Sequence, residues 1–450
     1  MKQFLLSLLC CLCLTPAFAS DKILNIQQVT SSKGITAWLV EDHSIPVISM
    51  EIGFTYGSAQ DPEMLSGLST LLSNTLDEGA GEVAAQEFQK RLDDNSITLK
   101  FNSSRDGFFG SVKTLSKHKS EAFHLLKLAL TAPRFDQEAV DRMIAANQSR
   151  IRSALSDPEW IAARIANDKA YEHHPYAMNS GGTLQSLSKI TPVNLQEVFK
   201  STITRENLRV AVTGDITAEE LTKLLDYVFA SLPPSRPKAP IENISVQNKG
   251  QNFLYTLDIP QSFVEMRWDG LGRKDENYYT LLLLNHILGG NGFGSRLMEE
   301  IREKQGLTYG IYSSPQLLDH APSFTISTST ENKNVGLMLD NIDAIVKEFI
   351  AQGVTNDELR RAKQYMIGSL PLQLTSTDSI ASILLGMQMD QLPIDYLDKR
   401  DAAIHKVSTE DVKTLAQQLL TPEPLTIIVG NPTLNDNYKM QVVEDIPNAQ

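Results

Sequence analysis

The chain has 450 residues, is 42% hydrophobic and 21% charged, and carries a formal net charge of -13. That is the composition of an ordinary globular protein too long for one hydrophobic core, so two domains of roughly 200 residues are expected. The acidity argues against nucleic acid or an anionic membrane surface as the main partner, since both reward a basic face.

In chain order, the first element is a cation at Lys2, an apolar run from Phe4 to Leu14 and the ending Ala17, Phe18, Ala19. This arrangement predicts a secretory signal over residues 1–19, cut after Ala19. The run is about half the roughly 20 residues that a membrane span needs, so no span is expected in the mature chain. Export follows, to the periplasm where the cell has two membranes. Cys10, Cys11 and Cys13 all fall inside this segment, so the mature chain is expected to have neither a disulfide nor a Cys-ligated metal.

Alternation predicts strands over residues 35–40 and 47–54. A turn from Tyr56 to Pro62 leads into a predicted helix whose Leu65, Leu68, Leu71, Leu72 and Leu76 make one apolar face. A long helix opens in residues 135–151, and residues 190–214 read as a helix, a turn and a strand ending in Gly214. Residues 231–240 hold four prolines and no apolar period, which suits a linker because proline removes backbone donors and fixes φ. Beyond it the order recurs. Strands are predicted over 263–268 and 323–328, a long helix from 354–368, and a closing helix, turn and strand over 407–430 ending in Gly430. Thr191 and Ser408 occupy matching N-cap positions. The chain therefore reads as a tandem duplication of an α+β sandwich: domains over 20–232 and 247–450, joined by a linker at 233–246.

The turn Gly57, Ser58, Asp61, Pro62, followed by Gly67, Leu68, Leu71, Leu72, Leu76 and Gly79, resembles the opening of the pitrilysin and mitochondrial processing peptidase family of inverzincin zinc peptidases. The resemblance covers nearly all of residues 25–432. It implies the pitrilysin-type fold, with a first-half helix carrying H-x-x-E-H, whose histidines hold zinc while the glutamate activates water. The three matching positions here are Thr70, Ser73 and Asn74. The family's third ligand, a glutamate eight residues before the proline of an Asp-Pro-type turn, corresponds to Arg150. Neither Thr nor Asn has an imidazole, Ser73 has no useful basicity, and a guanidinium repels a dication. The resemblance thus implies a degenerate metal site. His173 and His174 are the only adjacent histidines, and neighbours point apart in regular structure, so they make a poor chelate.

In the second half, Gly289, Gly290, Gly292 and Gly294 form a loop whose amides can approach another chain, followed by a helix from about Ser295. The run Arg302, Lys304, Leu307, Tyr309 is similar to the family's R-x-K-x-x-L-x-Y signature, in which the Arg and Tyr reach substrate held on the zinc-bearing half. The implied roles are a planar fork for a peptide carbonyl and a phenol donating to an oxygen that gains charge.

The expectation from residues and resemblance together is a non-catalytic, peptide-binding subunit. It would pair with a zinc-bearing H-x-x-E-H homologue, as a heterodimer or larger assembly. No cofactor is expected in this chain, zinc being the partner's. A scaffold homologue and a stand-alone peptide-binding protein are the alternatives.

Overall fold

The computed structural model describes residues 22–235, 239–290, 294–435 and 437–449. The expected signal segment and Gly292 lie outside them. In the first half, strands β1 (Gln27–Thr30), β2 (Thr36–Glu41) and β3 (Val47–Phe54) precede a two-residue hairpin of β4 (Gly79–Ala80) and β5 (Val83–Ala84). Then come β6 (Thr98–Ser103), β7 (Phe108–Leu115) and β8 (Leu208–Gly214). The second half has β9 (Asn252–Thr256), β10 (Gln261–Asp269), β11 (Ile311–Gln316), β12 (Ser323–Glu331), β13 (Leu425–Gly430) and β14 (Met440–Val442). Two six-stranded sheets result, in the orders β1-β2-β8-β3-β7-β6 and β11-β12-β10-β13-β9-β14. Read from opposite ends, five strands of each order match; the outer edge differs, since β1 precedes β2 and pairs with it antiparallel whereas β14 follows β13 and pairs with β9 in parallel.

The two echoes predicted from sequence are structural equivalents. The helices Pro192–Thr202 and Thr409–Leu420 each begin with a capping box, Thr191 with Asn194 and Ser408 with Asp411, which satisfies amides that the first helical turn leaves unpaired. The strands that follow end in Gly214 at φ 128° and Gly430 at φ 150°. A Cβ at Gly214 would lie 2.1 Å from the Val47 carbonyl oxygen, and one at Gly430 2.3 Å from Ser262 Oγ. Glycine is required twice, at the same place, because only it reaches this φ with no side chain to collide. The long helices Gln137–Ala154 and Asn356–Gln373 are likewise a pair.

One predicted element is shorter than its apolar pattern. The regular helix spans only Leu68–Ser73; Leu65 ends a separate 3₁₀ turn and Leu76 follows the helix. Gly67 starts it at φ 89°. Thr75 ends it by donating its hydroxyl to the carbonyls of Leu71 and Leu72 at 2.9 and 3.0 Å, a local bond that competes with helix propagation. Burial of Leu68, Leu71, Leu72 and Leu76 is as the pattern predicts.

Each half covers one sheet face with its own helices and lends a helix to the other half. Pro158–Ala170, from the first half, lies on β10 and β13, burying Ile161, Ala162, Ile165 and Ala166 against Phe263, Ile427 and Val429. Thr377–Met389, from the second half, lies on β3 and β8, burying Ile380, Leu384 and Leu385 against Trp38, Val40 and Ala211. Neither sheet buries both faces without the other half's helix.

Candidate functional site

The helix Leu68–Ser73 and its C-cap Asn74 carry the three positions that match the inverted zinc motif. Its start is pressed against residues 180–182, since a Cβ on Gly67 would fall 2.7 Å from Gly182 Cα. Thr70 Oγ1 uses this proximity to donate to the Ser180 carbonyl at 2.7 Å. Ser73 is buried and donates to the Thr70 carbonyl at 2.8 Å. Asn74 Nδ2 donates to Asn147 Oδ1 at 3.0 Å, and Arg150 Nη1 donates to the same oxygen at 3.0 Å. A guanidinium can only donate, so the Asn147 amide must turn its oxygen toward Arg150. Its Nδ2 is then left buried and without a hydrogen-bond partner, in a residue 5% exposed.

The structure therefore brings Asn74 and Arg150 together through Asn147, which the sequence reading missed. The signal was available: Asn147 lies three residues before Arg150, on the same helix face. As a zinc site this set does not fit. Thr70 and Ser73 spend their hydroxyls on backbone carbonyls, Asn74 and Asn147 offer amides, and Arg150 offers only donors, whereas zinc takes imidazole, thiolate or carboxylate. Among the described residues no group of three or more His, Cys, Asp or Glu is placed to hold a metal. His174 is structural: its Nδ1 accepts from Tyr176 N at 3.1 Å, so Nε2 carries the proton toward the Glu242 carbonyl at 2.9 Å.

A cluster of arginines is linked to this region through Met178. Arg164, on the helix Pro158–Ala170 and 7% exposed, makes a long 3.4 Å bond to the Met178 carbonyl, two residues from the carbonyl that Thr70 uses. Burial, together with the neighbouring Arg105 and Arg267, pushes its guanidinium down to about 9. Arg105 is lowered too, first by burial and then by Arg267. The Nε atoms of Arg105 and Arg164 are both buried without a partner. Arg267 is ion-paired with Glu265 at 2.6 Å, and Asp106 acts on Arg105.

The second-half motif is arranged differently. Gly289 and Gly290 close the helix Tyr278–Leu288, and both are there for packing: a Cβ would lie 2.7 Å from Ser313 N and from His286 Cα respectively. Gly294 sits at φ 111° in open space. After two α-helical residues, Met298–Glu303 forms a π-helical turn, closed by Lys304 N donating to the Glu299 carbonyl at 3.0 Å; such turns are often found at functional positions. Arg302 lies on it and donates from Nε to the Tyr309 carbonyl at 2.9 Å. This bond fixes the Tyr309 backbone, while the Tyr309 side chain is 96% exposed.

A fold of two matched six-stranded units with exchanged helices, and a helix bearing a vacated metal motif, defines the class: a two-domain pitrilysin-type protein. The insulinase (peptidase family M16) profile matches residues 37–183, and the peptidase M16 inactive-domain profile matches residues 189–366. The chain belongs to the peptidase M16 family and, lacking the metal ligands, is a non-catalytic member of it. It is 27% identical over 440 residues to the non-peptidase homolog YmxG of Helicobacter pylori, covering 96% of this chain and 99% of that one. It is 21% identical over 401 residues to the mitochondrial-processing peptidase subunit beta of Neurospora crassa, covering 82% and 80%. A peptidase M16 inactive domain from Pseudomonas fluorescens superposes with a TM-score of 0.86 at 26% identity, over 91% of this chain and 99% of that one. A Helicobacter pylori protease gives 0.83 at 17% identity, over 90% and 100%, a likeness of fold.

Proposed function

We propose that the chain is the non-catalytic, substrate-binding subunit of a heteromeric M16 protease whose zinc sits on an H-x-x-E-H homologue. The observation that carries this reading is Tyr309. Its backbone is clamped by Arg302 while its phenol stands 96% exposed, although the matching metal positions of its own chain hold no ligands. An aromatic side chain held outward by its backbone is poised for a surface beyond this chain, and exposed Tyr is enriched at interfaces because it combines apolar area with a donor.

The edge strand β6 supports the peptide-binding part of the reading. It ends its sheet, turns Thr98, Lys100 and Asn102 to solvent, and packs against the helix Leu68–Ser73. An open edge beside that helix can take an extended peptide as an added strand, with backbone hydrogen bonds supplying affinity and little sequence preference. Zinc is assigned to the partner, peptides are the substrate, and the periplasm is the location. Among the described residues no helix is long and apolar enough to cross a membrane. The test is co-expression with the H-x-x-E-H homologue from the same cell, followed by size exclusion and a peptide-cleavage assay. Co-elution with activity that neither chain has alone is expected. Two separately eluting proteins, with the homologue fully active by itself, would overturn the reading.

A further inference from the structure

We infer that the vacated metal position has become a carboxylate site, in which Arg150, Asn147 and Asn74 receive the C-terminal carboxylate of a bound peptide. The inference deepens the peptide-binding reading above and rests on it. Its geometry is that of the Asn147 amide. Two donors converge on its oxygen, and its own Nδ2 is buried with no acceptor. Buried donors are nearly always satisfied, so an orphan in a polar cluster is a place where a ligand's acceptor belongs. Next to it, Arg150 is exposed and, among the described residues, forms no ion pair. Its guanidinium has five donors in a planar fork, of which the Asn147 bond takes one. That fork matches a carboxylate in a bidentate arrangement.

The surrounding field has the same sign. Arg164 lies next to Met178, in the segment whose Ser180 carbonyl receives Thr70, and Arg105 stands beside Arg164. In a net-acidic chain, a group of arginines thus lies beside the segment that Thr70 contacts, and clustered cations attract anions. A peptide added to β6 would run past the helix Leu68–Ser73, which brings its end within the reach of this cluster. Where relatives polarise a peptide carbonyl with a dication, this chain would hold the carboxylate that cleavage produces. No bond is made or broken.

The experiment uses the full mature chain and an N-terminally fluorescein-labelled, unstructured peptide in three forms, followed by anisotropy at low salt. The forms are a free C-terminal acid, the C-terminal amide, and the amide with one internal Glu. The free acid is expected to bind about tenfold tighter than the amide, the scale of one charge-assisted contact. Arg150→Gln, at an exposed position that should leave the melting temperature unchanged, is expected to erase that preference. Arg150→Lys should keep part of it, since the charge stays and the fork is lost. If the Glu-containing amide binds as tightly as the acid, the site is still a carboxylate site, and its ligand is an acidic side chain. Equal binding of all three forms, or a preference that survives Arg150→Gln, would sink the carboxylate site and leave peptide binding intact. Absence of binding by every form would sink both.

Discussion

The two sheets can be compared residue by residue where the exchanged helices cross them. Gly214 is paired with Ile48, and the Phe263–Val429 pair puts Gly430 opposite Ser262. That register makes Glu51 on β3 the counterpart of Glu265 on β10, and Gly53 the counterpart of Arg267. Each glutamate faces a helix lent by the other half. Glu265 is paired with Arg267 at 2.6 Å, and Arg267 also donates to Asn167 on the crossing helix at 2.9 Å. Among the described residues Glu51 forms no ion pair, and the position that matches Arg267 is Gly53, where a Cβ would lie 2.7 Å from Met389 Sδ. Burial, and then the nearby Asp378, push its carboxyl up to about 7. The same acid in the same seam therefore has a guanidinium beside it in one half and a carboxyl raised by burial in the other. What decides is whether the residue two positions along leaves room for a cation.

The largest effect is expected from breaking the exchange itself. Residues 22–235 expressed alone lack the helix Thr377–Met389, and residues 247–449 alone lack Pro158–Ala170, so each leaves an apolar sheet face in water. Neither should give a soluble monomer with a cooperative melt, whereas the two co-expressed should elute together. A single half that melts cooperatively would mean that the crossing helices are decoration.

Next comes Glu265→Gln. It leaves the Arg267 guanidinium buried beside a neutral amide, and removing one partner of a buried pair costs about 3–5 kcal/mol. Urea denaturation at neutral pH would measure it, and a loss below about 1 kcal/mol would mean that Asn167 alone suffices for Arg267.

A further contrast is that the first half has lost its chemistry while the second keeps Arg302 and Tyr309. In the proposed heteromeric protease, Arg302→Ala and Tyr309→Phe should each lower turnover by about a hundredfold without loosening the assembly, the scale of one lost transition-state donor. Normal turnover in both would reduce the pair to structural residues.

Glu51→Gln should have a smaller effect of opposite sign to Glu265→Gln. With the folded carboxyl raised to about 7 from an ordinary 4.5, the unfolded chain gives up the proton first. Stability from this group is fully present below pH 4.5 and is lost as pH rises through 7. The variant should match the parent at pH 4 and exceed it by about 1–3 kcal/mol at pH 8. A variant no more stable than the parent at pH 8 would place the proton elsewhere.

The smallest expected effect is none. The triple change Thr70→His, Ser73→Glu and Asn74→His should still bind no stoichiometric zinc by metal analysis, because Arg150 stays beside the ion and Asn147 aims an amide at it. A zinc site needs its whole ligand set and supporting shell.

The duplication was legible because its signals are local: a cap at Thr191 and Ser408, an apolar period, and a glycine closing each strand. The departure from the zinc motif was legible for the same reason, since residue types and their spacing are written along the chain. Helix length at Leu68 was not, because Gly67 and Thr75 end the helix through a tertiary contact and a hydroxyl bond. By itself the sequence determined strands β2, β3, β8, β10, β12 and β13, the recurrence of elements in the two halves, and the departure of Thr70, Ser73, Asn74 and Arg150 from the zinc-ligand types. Tertiary structure alone decided that each half completes the other's sheet, that Asn147 joins Asn74 to Arg150, and that Glu265 gains an arginine beside it while burial raises the carboxyl of Glu51. Those outcomes depend on groups far apart in the chain meeting in a low-dielectric seam, where burial and a single partner outweigh any local preference.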